Sequence, residues 1–311
     1  MNTKEYFYLI NFSPQEKELC QLEMKYILNS KPEGKYILSD IDTNPSRSPF
    51  IKEKISILFS GNSIEELVGQ VIENKIAYED FKVLYLKSGD GDVDYTERLK
   101  SVSAIGYVVQ GEPSIHNPKI IIGISKIQDR WILGIYDKND FKWHIHDSKP
   151  YSYSNALSLK LGKTLVNIAI GNNYNTKLVD PCCGIGTVVI EALDLGIDVK
   201  GYELNELISQ NAQRNLEFFG FENVIKQKDM HTIEEQFDVA IIDMPYGIFT
   251  PTTVEKQNEL IKSVSQFCKK LVLVTITNMD VVLNLEGFNI VDKCSVNKNN
   301  FKRYITVCEK F

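Results

Sequence analysis

The sequence contains no apolar run approaching the 18 or more residues that a membrane span requires. Residues 1–12 lack a basic stretch followed by an apolar core and a small-residue cleavage site, so no secretory leader is expected and a cytoplasmic chain is. Cysteine is sparse and unpatterned. Cys182 and Cys183 are adjacent, while Cys20, Cys268, Cys294 and Cys308 are scattered without C-x-x-C spacing, so buried reduced thiols are expected rather than disulfides or a zinc site. The four histidines offer no better metal set. His144 and His146 would share a face of a strand, but no carboxylate or thiol pattern accompanies them, and no metal is expected. A basic excess is also missing. A net charge of −6 excludes indiscriminate binding of polyanions but leaves room for a local basic groove. No Walker A string, internal repeat or low-complexity segment occurs.

What remains is an ordinary globular composition, with 43% hydrophobic and 24% charged residues over 311 positions, a length that suggests two domains rather than one or four. The chain changes character near Lys149 and Pro150. Before that point, strands are expected at 35–39, 54–60, 81–87, 119–125 and 130–136, with helices at 15–28 and 63–74. The second of these opens with a capping box, Ser63 with Glu66. The segments 42–49 and 88–93 read as surface loops. After it, a helix capped by Ser154 runs to Ile170, and strands at 177–180, 198–203, 224–228, 238–243 and 271–277 alternate with helices at 187–195, 206–219 and 254–268. Two tail strands, 288–293 and 302–308, form a hairpin about 297–300. Such alternation implies a Rossmann-like α/β domain, a mostly parallel sheet with an antiparallel terminal hairpin.

The stretch from Leu178 to Thr187 reads Leu-Val-Asp-Pro-Cys-Cys-Gly-Ile-Gly-Thr. A strand ends in Asp180, passes through Gly184 and Gly186, and opens a helix at Thr187. Glycines let backbone approach a ligand, and the helix start presents free N–H groups. Nineteen residues beyond Gly184 the next strand ends at Glu203, placed to accept bonds from ribose hydroxyls. Val189 stands where a dinucleotide fingerprint needs a third small residue, and Asp180 would repel a pyrophosphate. That charge suits a ligand with a cationic end and an adenosine, such as S-adenosylmethionine. Asp229 ends the third strand, beside Met230, and either accepts from an adenine amino group or caps the turn near Thr232. A tight β–α turn without any ligand is the plain alternative for the whole stretch.

At the end of the fourth strand stand Asp243, Met244, Pro245, Tyr246 and Gly247. This run resembles the [Asp/Asn]-Pro-Pro-[Tyr/Phe] signature of methyltransferases acting on exocyclic amines of bases. The lone pair of such an amine is delocalised into the ring. A carboxylate on Asp243 and a neighbouring carbonyl can hold its N–H bonds so that the lone pair faces the methyl carbon. Pro245 fixes φ, and Tyr246 offers a face for an extruded base, worth about 1–3 kcal/mol. Met244 departs from the signature, which has Pro there.

With these strings in hand, residues 142–311 resemble the catalytic domain of THUMP-domain RNA methyltransferases, and within them the tRNA guanine-N2 methyltransferases of guanosine 10. The stretches at 149–153, 161–169, 180–187 and 243–247 carry the resemblance. More weakly, 118–123 and 131–135 resemble paired strands of a THUMP domain. The resemblance implies a small α/β domain at 1–50, a THUMP-like RNA-binding domain at 51–141 and a class I S-adenosylmethionine-dependent methyltransferase domain at 142–311. It further implies transfer to guanosine N2 in tRNA, with Asp243, Pro245 and Tyr246 catalytic. Asp180, Cys182, Gly184, Gly186, Thr187, Glu203, Asp229, Met230 and Asp243 would hold the cofactor. Lys142, Lys149, Lys298, Lys302 and Arg303 are expected to meet RNA, with Lys160, Lys163 and His144 near the junction. An rRNA guanine-N2 or adenine-N6 methyltransferase, and a non-catalytic RNA-binding scaffold, are the rivals. A small activator subunit stays open.

Overall fold

The computed structural model describes residues 4–32, 34–152, 156–245, 253–298 and 301–310, without the side chains of Lys298 and Phe301. The contacts divide the chain into two units, 1–11 with 28–140, and 12–27 with 141–311.

The first unit is one six-stranded sheet in the order β2-β1-β3-β6-β5-β4. Its strands are β1 (Tyr6–Ile10), β2 (Tyr36–Ser39), β3 (Ile51–Gly61), β4 (Phe81–Tyr85), β5 (Ile120–Ile127) and β6 (Arg130–Lys138). Side chains alternate across β6: Trp131 and Leu133 pack with Leu67, Val71 and Ile105, whereas Ile132 turns to the other face with Phe7 and Ile55. The helices covering the first face are α2 (Ile64–Glu73) and α3 (Tyr95–Val108). Ser63 caps α2 by accepting the Glu66 N–H, as its sequence predicts. Two elements were not expected, β1 and α3. The expected division at 50/51 falls inside this sheet, because β1 pairs with β3 along its length.

The second unit begins with α1 (Lys17–Leu28), all but its last residue, which lies against α4 (Leu159–Ile170) and the terminal hairpin. Asn167 on α4 donates to the buried Glu23 (2.7 Å), Lys160 pairs with Glu16 (2.7 Å), and Asp292 accepts from Lys25 (2.6 Å) and Tyr26 (2.8 Å). The helix α4 starts later than expected, with Ser158 accepting from Leu161 N–H; Ser154, the expected cap, lies outside the described residues.

The remaining elements follow the alternation that the sequence implies: β7 (Leu178–Asp180), α5 (Thr187–Asp194), β8 (Val199–Glu203), α6 (Glu206–Phe218), β9 (Ile225–Gln227), β10 (Phe237–Asp243), α7 (Val254–Phe267), β11 (Cys268–Thr275), the unexpected α8 (Asp280–Leu285), β12 (Phe288–Lys298) and β13 (Phe301–Lys310). They build a seven-stranded sheet, β12-β13-β11-β10-β7-β8-β9, parallel from β9 to β11 and antiparallel where β13 meets β11 and β12. The Rossmann-like class with an antiparallel hairpin is therefore the observed one.

One expectation fails inside this unit. Lys163, read as a basic residue near RNA, is 1% exposed; its ammonium lies 3.3 Å from Glu191 and 3.5 Å from Asp194 on α5. The same carboxylates meet His146, whose Nδ1 is 2.6 Å from Glu191. The sequence offers His146 no such partners, because they lie far along the chain and arrive only through packing. His146, Glu191 and Asp194 place their ligand atoms within 4.8 Å of one another, but the Lys163 ammonium already sits on both carboxylates.

Candidate active site

Parallel pairing fixes where the strand-end acids stand. In the sheet β10 lies beside β7, β7 beside β8 and β8 beside β9, so Asp243, Asp180, Glu203 and Asp229 arrive in a row at one edge. Asp180 pairs with Gly201, putting Glu203 two residues further out, and Glu203 pairs with Gln227, putting Asp229 two further again. The two loops that the sequence singles out thus spring from neighbouring strands, at the point where the strand order reverses and open α/β sheets bind ligands. The tail hairpin reaches the same end. Asp243 pairs with Val274, Val274 with Ile305 and Thr275 with Tyr304, which sets Lys302 and Arg303 beyond the carboxyl ends of the parallel strands.

Repulsion and dehydration shape this edge. Asp180 is almost fully buried, and its carboxyl is pushed up to about 8, first by loss of water and then by the charges of Asp243 and Glu203, against the Cys182 N–H bond that pulls it down. Oδ1 accepts that N–H at 3.2 Å. Glu203 locks the turn from the next strand, Oε2 accepting Gly184 N–H (3.1 Å) and Oε1 accepting Asn205 N–H (2.8 Å). Gly184 and Gly186 have φ of 54° and 85°, the left-handed region that side chains avoid, so the turn needs both glycines. Thr187 opens α5 with a buried hydroxyl that has no hydrogen-bond partner among the described residues. A buried unmatched hydroxyl beside free helix N–H groups marks a place where a polar ligand atom would fit.

Cys182 is half-buried rather than fully buried, and its sulfur lies 3.6 Å from that of Met230. Burial and the surrounding acids raise the Cys182 thiol, which keeps it protonated and poorly nucleophilic. Asp229 behaves as the turn cap that its alternative reading describes, accepting His231 N–H at 3.0 Å and holding the turn Met230–Thr232.

In the loop after β10, Met244 is buried and its N–H donates to Val274 O (2.9 Å), adding a rung to the β10–β11 ladder. A proline there has no N–H to give. The carbonyl of Pro245 accepts from Gln257 Nε2 on α7 at 2.9 Å. Sequence reasoning missed Gln257, since nothing local to α7 points to a residue twelve positions back. Tyr246 and Gly247 lie outside the described residues, as does Tyr153. Of the expected RNA contacts, Lys142 and Lys302 are exposed, Lys149 and Arg303 are half-buried, and Lys302 Nζ lies 5.2 Å over the Tyr304 ring.

With this geometry the comparisons with known proteins agree. Residues 147–301 match the family described as UPF0020: RMKL-like, methyltransferase domain. The tRNA (guanine(10)-N2)-dimethyltransferase of Methanothermobacter thermautotrophicus is 25% identical over 278 residues, 81% of either chain. Its namesake from Methanocaldococcus jannaschii is 23% identical over 283 residues, 78% of this chain and 80% of its own. The crystal structure of TrmN from Thermus thermophilus aligns over 99% of this chain and 100% of its own at a TM-score of 0.48 and 14% identity. The matched span 147–301, the methyltransferase-like part of the chain, contains both the Asp180–Thr187 turn and the Asp243 strand end.

Proposed function

We propose that the protein is an S-adenosylmethionine-dependent tRNA methyltransferase acting on the exocyclic N2 of a guanosine. The observation that carries this reading is the placement of Asp180 and Asp243 on neighbouring strand ends, the first suited to a cation-bearing cofactor and the second to a base amine. The names of the relatives from two archaea favour guanine N2 over other amines.

The residues fit the cofactor. Asp180 would take its ammonium, the glycine turn and Thr187 its amino-acid end, Glu203 its ribose, and Cys182, Asp229 and Met230 its adenine. When bound, it supplies a methyl group activated by a sulfonium. Asp243 would accept an N–H of the guanine amine and then its proton. The neighbouring main-chain carbonyl would take the second N–H. The bond from Gln257 and the rung through Met244 hold the loop in place of the missing proline. Tyr246 would stack the extruded base. Lys142, Lys149, Lys298, Lys302 and Arg303 would meet the RNA backbone, with the unit formed by 1–11 and 28–140 as the THUMP-like reader, in a cytoplasmic setting. No helix among the described residues is long and apolar enough to cross a membrane.

Mass spectrometry of nucleosides from unmodified tRNA treated with protein and methyl-labelled cofactor tests this directly. N2-methylguanosine or its dimethyl form is expected. N6-methyladenosine, or labelling of rRNA alone, replaces the reading with its nearest rivals. Absence of any transfer, together with absence of cofactor binding by calorimetry, leaves an RNA-binding scaffold.

A further inference from the structure

No motif draws attention to Asn215, yet its side chain makes three hydrogen bonds to main chain beside the glycine turn. It lies on α6 and is completely buried. Its Oδ1 accepts the Tyr151 N–H at 3.0 Å, and its Nδ2 donates to Tyr151 O at 2.9 Å and to Ile185 O at 3.0 Å. Both donors and an acceptor are thus spent on main chain. The pair on Tyr151 copies what an adjacent strand would offer. The third bond ends inside the turn between Gly184 and Gly186, whose own N–H at Gly184 is held by Glu203. Arg214, the preceding residue, holds the Tyr151 side chain: a nitrogen lies 3.2 Å from the phenol oxygen and the guanidinium 5.6 Å from the ring centre.

A buried amide must keep its partners, so the Tyr151 segment and the glycine turn cannot move apart without leaving a dry polar group unmatched. We infer that Asn215 is a positioning residue that ties the segment 149–152 to the cofactor turn, so that filling the cofactor site orders the segment carrying Lys149. The inference rests on the S-adenosylmethionine reading of that turn.

The test is amide hydrogen exchange on the full chain, with and without S-adenosylhomocysteine, in the wild type, Asn215→Leu and Asn215→Asp. In the wild type the ligand slows exchange at Tyr151 by about tenfold or more, as expected of an amide whose local opening is coupled to the turn. Asn215→Leu still binds the ligand but loses that slowing, and its KM for tRNA rises more than its KM for cofactor. Asn215→Asp, which keeps the size and one acceptor but turns the two donations into repulsions, loses it too. Ligand binding with no change at Tyr151 in the wild type overturns the inference whatever the variants do, as does slowing that survives in Asn215→Leu. If calorimetry finds no S-adenosylhomocysteine binding to the wild type, the cofactor reading fails first and the inference falls with it.

Discussion

Asp180 couples the site to pH. An ordinary aspartate titrates near 3.9, whereas this one is pushed up to about 8 by burial and by its acidic neighbours. The folded chain therefore holds the proton more tightly than the unfolded one, and the stability this confers is complete below about pH 4 and lost as pH rises through about 8. A cationic ligand beside the carboxylate reverses the preference. S-adenosylmethionine binding at pH 7 should release a proton, and its affinity should rise with pH up to about 8. Calorimetry in buffers of different ionisation enthalpy counts that proton, and Asp180→Asn should bind more weakly with no such release. A binding heat independent of buffer would refute the assignment. Asp243→Ala should keep cofactor binding while turnover falls by about 100-fold or more, the scale of losing one group that meets the developing charge; near-normal turnover would remove Asp243 from the chemistry. Asp180 and Asp243 were legible because each interrupts an apolar run at a predictable place. Asn215 and Gln257 were not, since an amide side chain declares its partners only once distant segments meet. Asp229 was legible only as a choice between two roles, and its turn-capping bonds are now explicit.

Among the elements, periodicity located the parallel strands and their helices, because buried strands read as apolar runs and covering helices as a 3.6-residue stripe. It failed where the stripe is blurred. Tyr95, Leu99 and Tyr107 of α3 are exposed, so that helix carries no clean apolar face. β1 was hidden because an isolated apolar run at the chain start has no neighbouring pattern to place it. The loop after β10 shows how an element can replace a signature residue. Since Met244 extends the β10–β11 ladder through its N–H, restoring the usual proline by Met244→Pro should not stiffen the loop but remove a rung. Loss of that bond and of the buried side chain should cost about 1–3 kcal/mol, read by chemical denaturation. A variant as stable as the parent would show that the rung contributes nothing.

At the level of the whole molecule, an early segment of the chain joins the unit built mainly from its second half. Residues 12–27 belong with 141–311, where Glu23, Lys25 and Tyr26 meet Asn167 and Asp292, and the Tyr26 ring lies 4.4 Å from the Lys270 ammonium. No sequence signal announces this, because contacts between residues 144 to 267 positions apart leave no local pattern. A fragment of 141–311 should therefore melt at lower temperature and scatter more light than the full chain, with partial recovery on adding a peptide of residues 12–28; equal melting would contradict the assignment. RNA affinity should fall steeply with salt, at a slope of about −0.7 per phosphate met on single strands, and Lys302→Ala should flatten it by about one such contact. An unchanged slope would take Lys302 off the RNA path.

The early position of α1 also has a consequence for biosynthesis. The ribosome releases this helix long before Asp292 is made, 266 residues after Tyr26. At about 5–20 residues per second the delay is roughly 15–50 s. Throughout it the apolar side bearing Leu19, Cys20, Met24 and Ile27 has no finished surface to cover it. A nascent chain of this kind stays open to chaperones until β12 and β13 emerge, and this unit cannot close before they are made.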